Sequence, residues 1–579
     1  MSASYEVRPV TPTGVSGQVD AGWEAVAATL ARQDSHLYVV ESYPGTDDAA
    51  VARELSARIG IDTVVHSGEI FPDGAELTRF LQPWLTEDRV FGRMFFGTIH
   101  DLVDADRLAA VRRRVQTLLG RVLVIGFGAS LISEGGVRVY ADITRWEIQR
   151  RWRQGTLGNW LADNAEEDLL RRFKRGYFIE WRVADRWKVS QLPASDYYLE
   201  TNTVPRPTLV ATPTYLAALE AVTRRPFRMV PYFDAGVWGG TWLQDQLGIP
   251  MEGENIAWGF DGVPEENSIV LAIGDGEIEV PAQNLVKVFP TALLGEEVVA
   301  RFGAEFPIRF DFLDTIGGQN LSLQVHPTVE YIREHFGMAY TQDESYYILE
   351  AGPDAGVYLG LREDSEPQAM VAELTAAESG AVSFEAERHV NRYPAKRHDH
   401  FLIPAGTVHC SAADTLVLEI SATPYIFTFK LWDWDRVGLD GVPRPTHVGH
   451  GQHVIDWSRT DAWVRENLTP QPQVLRQTDD VLIERTGLHR LEFIETVRYT
   501  TRSEVRVASD GGFSMLNLVE GAAAEVSSPD GTFEPYLVHY AETFIVPARV
   551  EDFVVRPAAG VAEIKVVRAF VRKQRAHTS

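Results

Sequence analysis

In the first third of the chain, short runs of apolar residues alternate with segments in which apolar residues recur at helical spacing. Residues 37–42 form a mostly apolar run, and apolar residues recur at four-residue spacing between 47 and 59. The segments 63–66 and 122–126 are further short apolar runs, and a helical pattern lies between them. Four-residue spacing indicates an amphipathic helix, and strands that alternate with helices are typical of a mainly parallel sheet. We therefore predict an N-terminal α/β layer domain over residues 1–205.

The pattern changes from about residue 229 onwards, where short alternating segments are separated by Gly, Pro, Asp and Asn. Many short strands at such spacing indicate a β-sandwich or a barrel. The segment 371–383 is predicted to be a helical insertion. A Thr-Pro-Gln-Pro break at 469–472 separates a predicted β domain over 206–475 from a C-terminal β-sandwich domain over 476–579. The strands predicted in the middle domain include 268–273, 308–315, 322–325, 346–350, 357–361, 400–404, 416–421 and 425–434.

The composition narrows the class of protein. The chain has 579 residues, a net charge of −26 and a single cysteine, Cys410. The negative charge excludes a general binder of nucleic acid or of anionic membranes, because both need local positive charge. One cysteine excludes an intramolecular disulfide and a cysteine-rich zinc site. Since there is no signal-peptide pattern and no apolar run long enough to span a membrane, the sequence predicts a cytoplasmic protein. It carries no signal for the oligomeric state.

A loop at 43–49 lies where a phosphate-binding loop would join a strand to a helix. That chemistry needs glycine amides, a lysine and a hydroxyl group, whereas Asp48 and Ala49 stand at the cationic and hydroxyl positions. The layout resembles a nucleoside-kinase-like (uridine-kinase-like) P-loop fold that has lost its phosphate site, and its role stays open. An ordinary helix start is the simpler interpretation. The Gly-Phe-Gly-Ala-Ser run at 126–130 lacks the third glycine of a dinucleotide-binding loop.

The segment 145–188 is rich in arginine and tryptophan. Basic residues interleaved with aromatic ones could hold a nucleotide or a single-stranded nucleic acid. We favour the alternative in which the arginines form a solvated face and the tryptophans pack into the core.

Four metal-ligating side chains are distributed over the middle domain. Gln324 and His326 are two residues apart on a predicted strand and therefore point to the same face. Glu344 precedes a neighbouring predicted strand, and His409 follows a Pro-Ala-Gly turn. One amide oxygen, two imidazoles and a carboxylate suit a divalent ion such as zinc and leave room for water or substrate.

These residues lie in motifs that resemble those of type I mannose-6-phosphate isomerases. The resemblance covers roughly 229–470 well and the C-terminal strands more loosely. It implies a cupin (jelly-roll) domain that holds one zinc ion per chain through Gln324, His326, Glu344 and His409. It also implies isomerisation of mannose 6-phosphate and fructose 6-phosphate, or of a related sugar phosphate, through an enediol. The motifs are Val-Trp-Gly-Gly at 237–240, Gln-Val-His-Pro at 324–327, Glu-Ser-Tyr-Tyr-Ile at 344–348, Pro-Ala-Gly-Thr-Val-His at 404–409 and Phe-Lys-Leu-Trp-Asp-Trp-Asp-Arg at 429–436.

The sequence departs from this family at two positions. Lys430 stands where the family usually has arginine, and a lysine keeps the charge but loses the bidentate fork. Asp311 stands where the family tends to have a lysine, and Arg309, two residues earlier on the same face, could compensate in part. These departures bear on phosphate recognition and on the identity of the substrate more than on the metal.

Three side chains are candidate catalytic residues. Glu419, on the strand after His409, is the candidate acid or base, and a salt bridge at the edge of the core is the alternative. Lys430 is the candidate that stabilises the enediolate or the phosphate, with Arg444 as further polar lining; an exposed lysine on an edge strand is an equally supported alternative for Lys430. Arg436 and His447 are further candidates for the lining. We predict that His398 and His400 lie on the surface, because they have no counterpart in the family.

Three other functions are open to a chain of this kind. One is a non-catalytic, zinc-containing protein that binds a sugar phosphate and has a regulatory role, which the departures at Lys430 and Asp311 favour. A second is a bifunctional enzyme with an N-terminal kinase, against which Asp48 and Ala49 argue. A third is another metal cupin such as a dioxygenase, which Gln324 disfavours because those sites are more often rich in histidine.

Overall fold

The computed structural model describes residues 5–250, 253–378, 382–424, 426–438, 441 and 444–573. This part of the chain has a mixed α/β structure in which the strands form six sheets. The described helices include none that is long and apolar enough to cross a membrane.

A seven-stranded sheet forms the centre of the N-terminal part. Five of its strands run parallel, and the strands predicted at 37–42, 63–66 and 122–126 are confirmed. The central strands Leu37–Ser42 and Val122–Gly126 are buried along their whole length, because helices cover both faces of the sheet. The sheet extends past residue 205. In spatial order its strands are Val19–Ala21, Thr208–Ala211, Tyr197–Glu200, Val137–Asp142, Leu37–Ser42, Val122–Gly126 and Thr63–His66.

Helices connect these strands. The helix predicted between 47 and 59 spans Asp48–Leu55 and continues as a π-helical turn, Ser56–Gly60. The other α-helices of this part are Trp23–Ala31, Gly74–Leu85, Ala105–Thr117, Ala129–Ile132, Arg145–Arg153, Leu169–Arg175, Trp181–Gln191 and Thr212–Val222. Shorter 3₁₀ and π segments are Ser67–Ile70, Ile99–Asp101 and Gly176–Glu180.

The loop at 43–49 is an ordinary helix start. The Asp47 side chain accepts a hydrogen bond from the backbone N–H of Ala50 at 2.9 Å and so caps the helix Asp48–Leu55. In the glycine turn after Val122–Gly126, a carboxylate of the protein itself accepts the hydrogen bonds of the backbone N–H groups. Glu41 accepts from the backbone N–H groups of Gly128 and Ser130 at 2.6 and 2.8 Å.

The expectation of a solvated arginine face over 145–188 is wrong for most of its basic residues. Arg145 is buried and pairs with Asp185 at 2.5 Å, and Lys188 is buried and pairs with Asp142 at 2.8 Å. Trp152 and Trp181 are stacked in the core as predicted. The charges are buried because carboxylates and backbone carbonyl groups satisfy them within the fold. The buried basic residues of this segment are Arg145, Arg151, Arg172, Lys174, Arg175, Arg182 and Lys188.

The middle part contains two antiparallel sheets whose inner faces meet. The first has the strand order His400–Ile403, Glu344–Ala351, Thr415–Ala422, Ile308–Asp314, Trp258–Gly262 and Tyr232–Asp234. The second has the order Val390–Pro394, Gly356–Leu361, His409–Ser411, Leu323–Val325 and Phe429–Trp432. The last of these covers only part of the strand predicted at 425–434, and residue 425 lies outside the described residues. A smaller sheet joins Val10–Pro12, from the start of the chain, to Ser268–Ile273 and Gly276–Pro281.

The helices of the middle part lie around these sheets. The predicted helical insertion at 371–383 spans Pro367–Glu378, and residues 379–381 lie outside the described residues. The others are Trp242–Leu247, Ala282–Val288, Pro290–Leu294, Glu296–Phe302, Val329–Phe336, Ala386–His389, Val448–Gly451 and Asp461–Asn467.

The C-terminal part consists of two further antiparallel sheets packed on a core of their own, which includes Leu516, Val526 and Phe553. The strands of one sheet are Gln473–Gln477, Val481–Gly487, Ile494–Thr501, Ile564–Val571, Ser514–Glu520 and Thr543–Val546. Those of the other are Val505–Ala508, Asp552–Pro557, Ala523–Ser527 and Tyr536–His539.

The N-terminal part packs directly against the second sheet of the middle part. The rings of Phe91 and Phe178 lie 6.0 and 5.9 Å from that of Phe427. The backbone N–H of Met94 donates to the carbonyl of Phe336 at 2.8 Å. These contacts place residues 88–94 beside the strand Phe429–Trp432, and aromatic packing of this kind contributes beyond the area that it buries.

Candidate metal centre

Three of the predicted site residues form a row across one sheet. The strand Leu323–Val325 lies between His409–Ser411 and Phe429–Trp432, with Gln324 opposite His409 on one side and opposite Lys430 on the other. Residues directly opposite each other in a sheet point to the same face. His326 follows two residues after Gln324, so that the alternation of the strand also brings it to this face.

Glu344 reaches the same place from the facing sheet, as the first residue of the strand Glu344–Ala351. Its Oε2 lies 2.9 Å from His326 Nε2, and its Oε1 lies 2.7 Å from His409 Nε2. One ligand atom from each of the three residues falls within 4.8 Å of the other two. All three side chains are at most 1% exposed. The two sheets therefore bring two imidazoles and a carboxylate together in the buried interior.

The hydrogen bonds on the far side of each imidazole define what the near side presents. His326 Nδ1 lies 3.0 Å from the carbonyl of Phe427, and His409 Nδ1 lies 2.8 Å from that of Thr407. A carbonyl oxygen only accepts, so each Nδ1 carries a proton and each neutral imidazole turns an Nε2 lone pair towards Glu344. Backbone carbonyls hold metal-ligating histidines in this way.

The imidazole lone pairs and the carboxylate that they face repel one another unless a cation or additional protons lie between them. In the hydrogen-bonding pattern of neutral imidazoles, His326 Nε2 and Glu344 Oε1 have no hydrogen-bond partner. Burial disfavours the charged carboxylate, but positive charge on the His326 and His409 side outweighs burial and holds the pKa of Glu344 well below its usual range, so that a cation at this place keeps Glu344 ionised. This donor set fits a divalent cation such as zinc.

Gln324 lies next to the three residues and could offer a fourth ligand atom if its side-chain amide were turned over. Its Nε2 lies 3.1 Å from His409 Nε2, so that the amide donates to the imidazole lone pair. Turning the amide by half a revolution would offer Oε1 instead without changing its shape. The side chain is thus suited to act as a fourth ligand.

A charged cluster lies on the same face of the first sheet, next to Glu344. Arg309 Nη2 donates to Glu419 at 2.6 Å, and the same nitrogen lies 3.6 Å from Asp311. Burial, and then Asp311, raises the pKa of Glu419 well above its usual range. Burial also raises the pKa of Asp311 to about 6, although Arg309 opposes this. The candidate acid or base from the sequence therefore lies in an ion-paired network beside the metal-ligating residues.

Lys430 is half-buried on the edge strand of the second sheet. Burial, and then Arg444, lowers the pKa of Lys430 to about 7. Arg444 is held by Asp433 at 3.0 Å, and Arg436 by the same carboxylate at 2.6 Å. The two arginines are therefore partly neutralised, whereas the pKa of the Lys430 amine lies well below that of an ordinary lysine.

A cavity of about 700 Å³ opens next to Lys430. His447 lines it, and its backbone N–H donates to the carbonyl of Lys430 at 2.7 Å. Burial, and then Lys430, lowers the pKa of His447 to about 3, so this imidazole is neutral. Asp88 of the N-terminal part also lines the cavity, and its carboxylate lies 3.9 Å from His450 Nε2.

Comparison with known proteins finds mannose-6-phosphate isomerases. Mannose-6-phosphate isomerase ManA of Bacillus subtilis is 25% identical over 311 residues, which is 53% of this chain and 89% of that protein. The mannose-6-phosphate isomerase of Streptococcus mutans is 26% identical over 236 residues, or 39% of this chain and 68% of that protein. The crystal structure of the mannose 6-phosphate isomerase from Bacillus subtilis aligns with 60% of this chain and 99% of its own, at 20% identity and a TM-score of 0.48. A family model described as a domain of unknown function, DUF8485, matches residues 22–224.

Sequence reasoning missed that the N-terminal part approaches this cavity. Asp88 and Phe91 approach His447 and His450 from a segment with no metal-ligating or catalytic motif, and the ring of Phe91 lies 4.7 Å from that of His447. The aromatic content of 91–96 was the only available signal. It indicates a buried contact but does not identify its partner.

The prediction that His400 lies on the surface is wrong. Its side chain is buried, Nε2 lies 2.9 Å from Ser345 Oγ, and Nδ1 lies 3.0 Å from Thr486 Oγ1. The strand that follows residue 480 covers this face, which local sequence could not show. His398 is only partly buried and lies 2.9 Å from Glu520.

Proposed function

We propose that this protein is a zinc-dependent aldose–ketose isomerase that interconverts mannose 6-phosphate and fructose 6-phosphate, or a closely related pair of sugar phosphates. The observation that carries the proposal is the convergence of two imidazoles and a carboxylate in the buried interior, with Lys430 in the same row as Gln324 and His409. The mannose-6-phosphate isomerases among its relatives support the same reaction. We assign the two central sheets to a cupin jelly roll.

The metal ligands in this proposal are Gln324, His326, Glu344 and His409. When bound, the ion supplies a Lewis acid that polarises the carbonyl and the neighbouring hydroxyl oxygen of the sugar. The backbone carbonyls of Phe427 and Thr407 keep the two Nδ1 protons away from the ion.

Lys430 and Glu419 divide the remaining tasks. Isomerisation moves a proton between two neighbouring carbons through an enediol, and a group with a pKa near the working pH is best suited to hold that proton. We assign this role to Lys430 Nζ, which also stabilises negative charge on oxygen when it is protonated. Glu419 remains the second candidate, with Arg309 positioned to stabilise its charged form. Arg444, anchored on Asp433, contributes positive charge near Lys430.

The test is conversion of mannose 6-phosphate to fructose 6-phosphate by the full chain, before and after chelation and after zinc is added back. We expect activity to disappear with the metal and to return with zinc. The His326→Ala variant should lose both zinc and turnover, whereas His36→Ala, at an exposed histidine outside the cluster and the cavity, should keep both.

Two results would refute parts of the proposal. Turnover that survives complete removal of the metal would rule out its role in the reaction. A zinc-loaded protein that binds the sugar phosphate without converting it would instead favour the non-catalytic alternative. The pairing of Arg309 with Glu419 and Asp311 favours that alternative, because it uses a cation that could otherwise face a phosphate.

A further inference from the structure

A second cavity lies in the N-terminal part, away from the metal centre. It has a volume of about 270 Å³ and is lined only by residues between 43 and 161. It sits where the parallel strands Leu37–Ser42, Thr63–His66 and Val122–Gly126 end. The carboxyl ends of the strands are where open parallel sheets bind their ligands.

Phosphate does not fit this cavity. The loop amides that line the cavity are already used in part, since the backbone N–H groups of Thr46 and Asp48 donate to the carbonyls of Tyr43 and Thr46 at 3.1 and 3.0 Å. The described residues that line the cavity include no arginine and no lysine. Arg151, on the far side of the loop, donates to the carbonyls of Gly45 and Thr201 at 3.1 and 2.9 Å.

Two oxygen atoms of the lining have no hydrogen-bond partner among the described residues. They are Oγ1 of Thr46, whose side chain is buried, and Oδ1 of Asp48. Both can accept a hydrogen bond, and leaving a buried acceptor unpaired is costly. Burial raises the pKa of Asp48 to about 7, although the nearby Ser42 hydroxyl opposes the rise.

Aromatic side chains form another wall. Phe127 and Trp160 both line the cavity, and their rings meet edge to face at 5.1 Å. Such a wall suits an apolar group or a cation, because the face of an aromatic ring carries partial negative charge.

We propose that this cavity binds a small organic cation, with a primary ammonium group donating to Asp48 and Thr46 and an apolar part lying against Phe127 and Trp160. An ammonium group has three donors and no acceptor, which matches a lining of unpaired acceptors. It also supplies the positive charge that the buried carboxylate lacks. This site is additional to the proposed isomerase function and does not depend on it.

The experiment compares n-butylammonium chloride with 1-butanol, which has nearly the same shape but no charge. Binding to the full chain is measured by titration calorimetry at 150 mM salt, so that weak attraction to the net negative charge is screened. We expect saturable binding of butylammonium that is at least tenfold tighter than that of butanol. Asp48→Asn should weaken it at least tenfold, and Thr46→Val should weaken it about threefold.

Asp47→Asn is the matched control. It removes the same charge from the neighbouring residue, and asparagine can still cap the helix. Butylammonium binding should be unchanged in this variant. Circular dichroism and thermal unfolding check that each variant is folded, and the comparison of amine with alcohol in the unmodified chain needs no variant. Equal affinity for the alcohol, no saturable binding of the amine, or equal binding by a folded Asp48→Asn variant would each overturn the proposal.

Discussion

Replacing Lys430 with methionine tests whether burial of the Lys430 amine lowers the free energy of unfolding. The amine is half-buried next to Arg444, and burial is the larger cause of its lowered pKa. Methionine has a similar length and apolar character but carries no charge. We therefore expect Lys430→Met to abolish turnover and, at neutral pH, to stabilise the fold.

The magnitude follows from the pKa. The difference between the ordinary 10.5 of a lysine and the pKa of about 7 for Lys430 corresponds to about 5 kcal/mol, at about 1.4 kcal/mol per pKa unit. Water that solvates the partly exposed amine reduces this, so we expect a gain of about 2 to 5 kcal/mol at pH 7. Below pH 7 the lysine is protonated in both the folded and the unfolded state, and the full destabilisation of the folded state by the buried charge is present. Between pH 7 and 10.5 the cost falls, and above 10.5 both states are neutral and it vanishes.

The assay is denaturant unfolding of the unmodified and variant proteins at pH 7 and at pH 10. Lys396→Met makes the same chemical change at an exposed lysine and should alter stability by less than about 0.5 kcal/mol at either pH. A difference for Lys430→Met that is the same at both pH values would refute the assignment of a lowered pKa. Destabilisation at pH 7 would refute the claim that the buried charge is costly.

Three further changes test other parts of the structure. Glu344→Gln should lower the amount of bound zinc at least tenfold, as measured by atomic emission after dialysis. Glu350→Gln, on the same strand, should retain its zinc, and equal zinc in the two variants would contradict the ligand assignment. Phe91→Ala removes a buried ring at the contact between the N-terminal and middle parts and should lower the free energy of unfolding by about 3 to 5 kcal/mol. Phe80→Ala, at an exposed ring, should change it little, and equal losses would be inconsistent with the packing. Arg228→Met leaves two buried carboxylates without their cationic partner and should cost about 3 to 5 kcal/mol in the same assay. The exposed Arg224→Met should change stability little, and equal losses in the two variants would argue against the buried ion pairs.

Much of the local structure could be predicted from short segments. The runs at 37–42, 63–66, 122–126 and 268–273 form strands with the predicted bounds. They could be identified because a strand buried on both faces is apolar throughout, and a half-buried one alternates. The segment 425–434 was harder, since its strand is limited to Phe429–Trp432.

The candidate metal centre was accessible for a similar reason. The two-residue period of a strand brings Gln324 and His326 to one face whatever surrounds them. The meeting of His409 and Glu344 was inferred from a family resemblance, because nothing in a linear sequence states that two sheets face each other.

Two features were decided by the tertiary structure alone. The arginines of 145–188 have the pattern of a solvated face, yet most are buried, since carboxylates distant in sequence pair with them; Arg145, for example, contacts Glu265 at 3.2 Å. His400 is buried under a strand more than eighty residues away.

The sequence by itself determined where many of the strands lie and which of their side chains share a face, because these follow from the backbone period and from the burial that each residue type tolerates. The tertiary structure decided which charges are paired, which imidazole nitrogens carry protons, and that Asp88 and Phe91 approach the cavity beside Lys430. These depend on contacts between distant segments, and the free energy of burying a charge or a ring depends on its partner rather than on its neighbours in the chain.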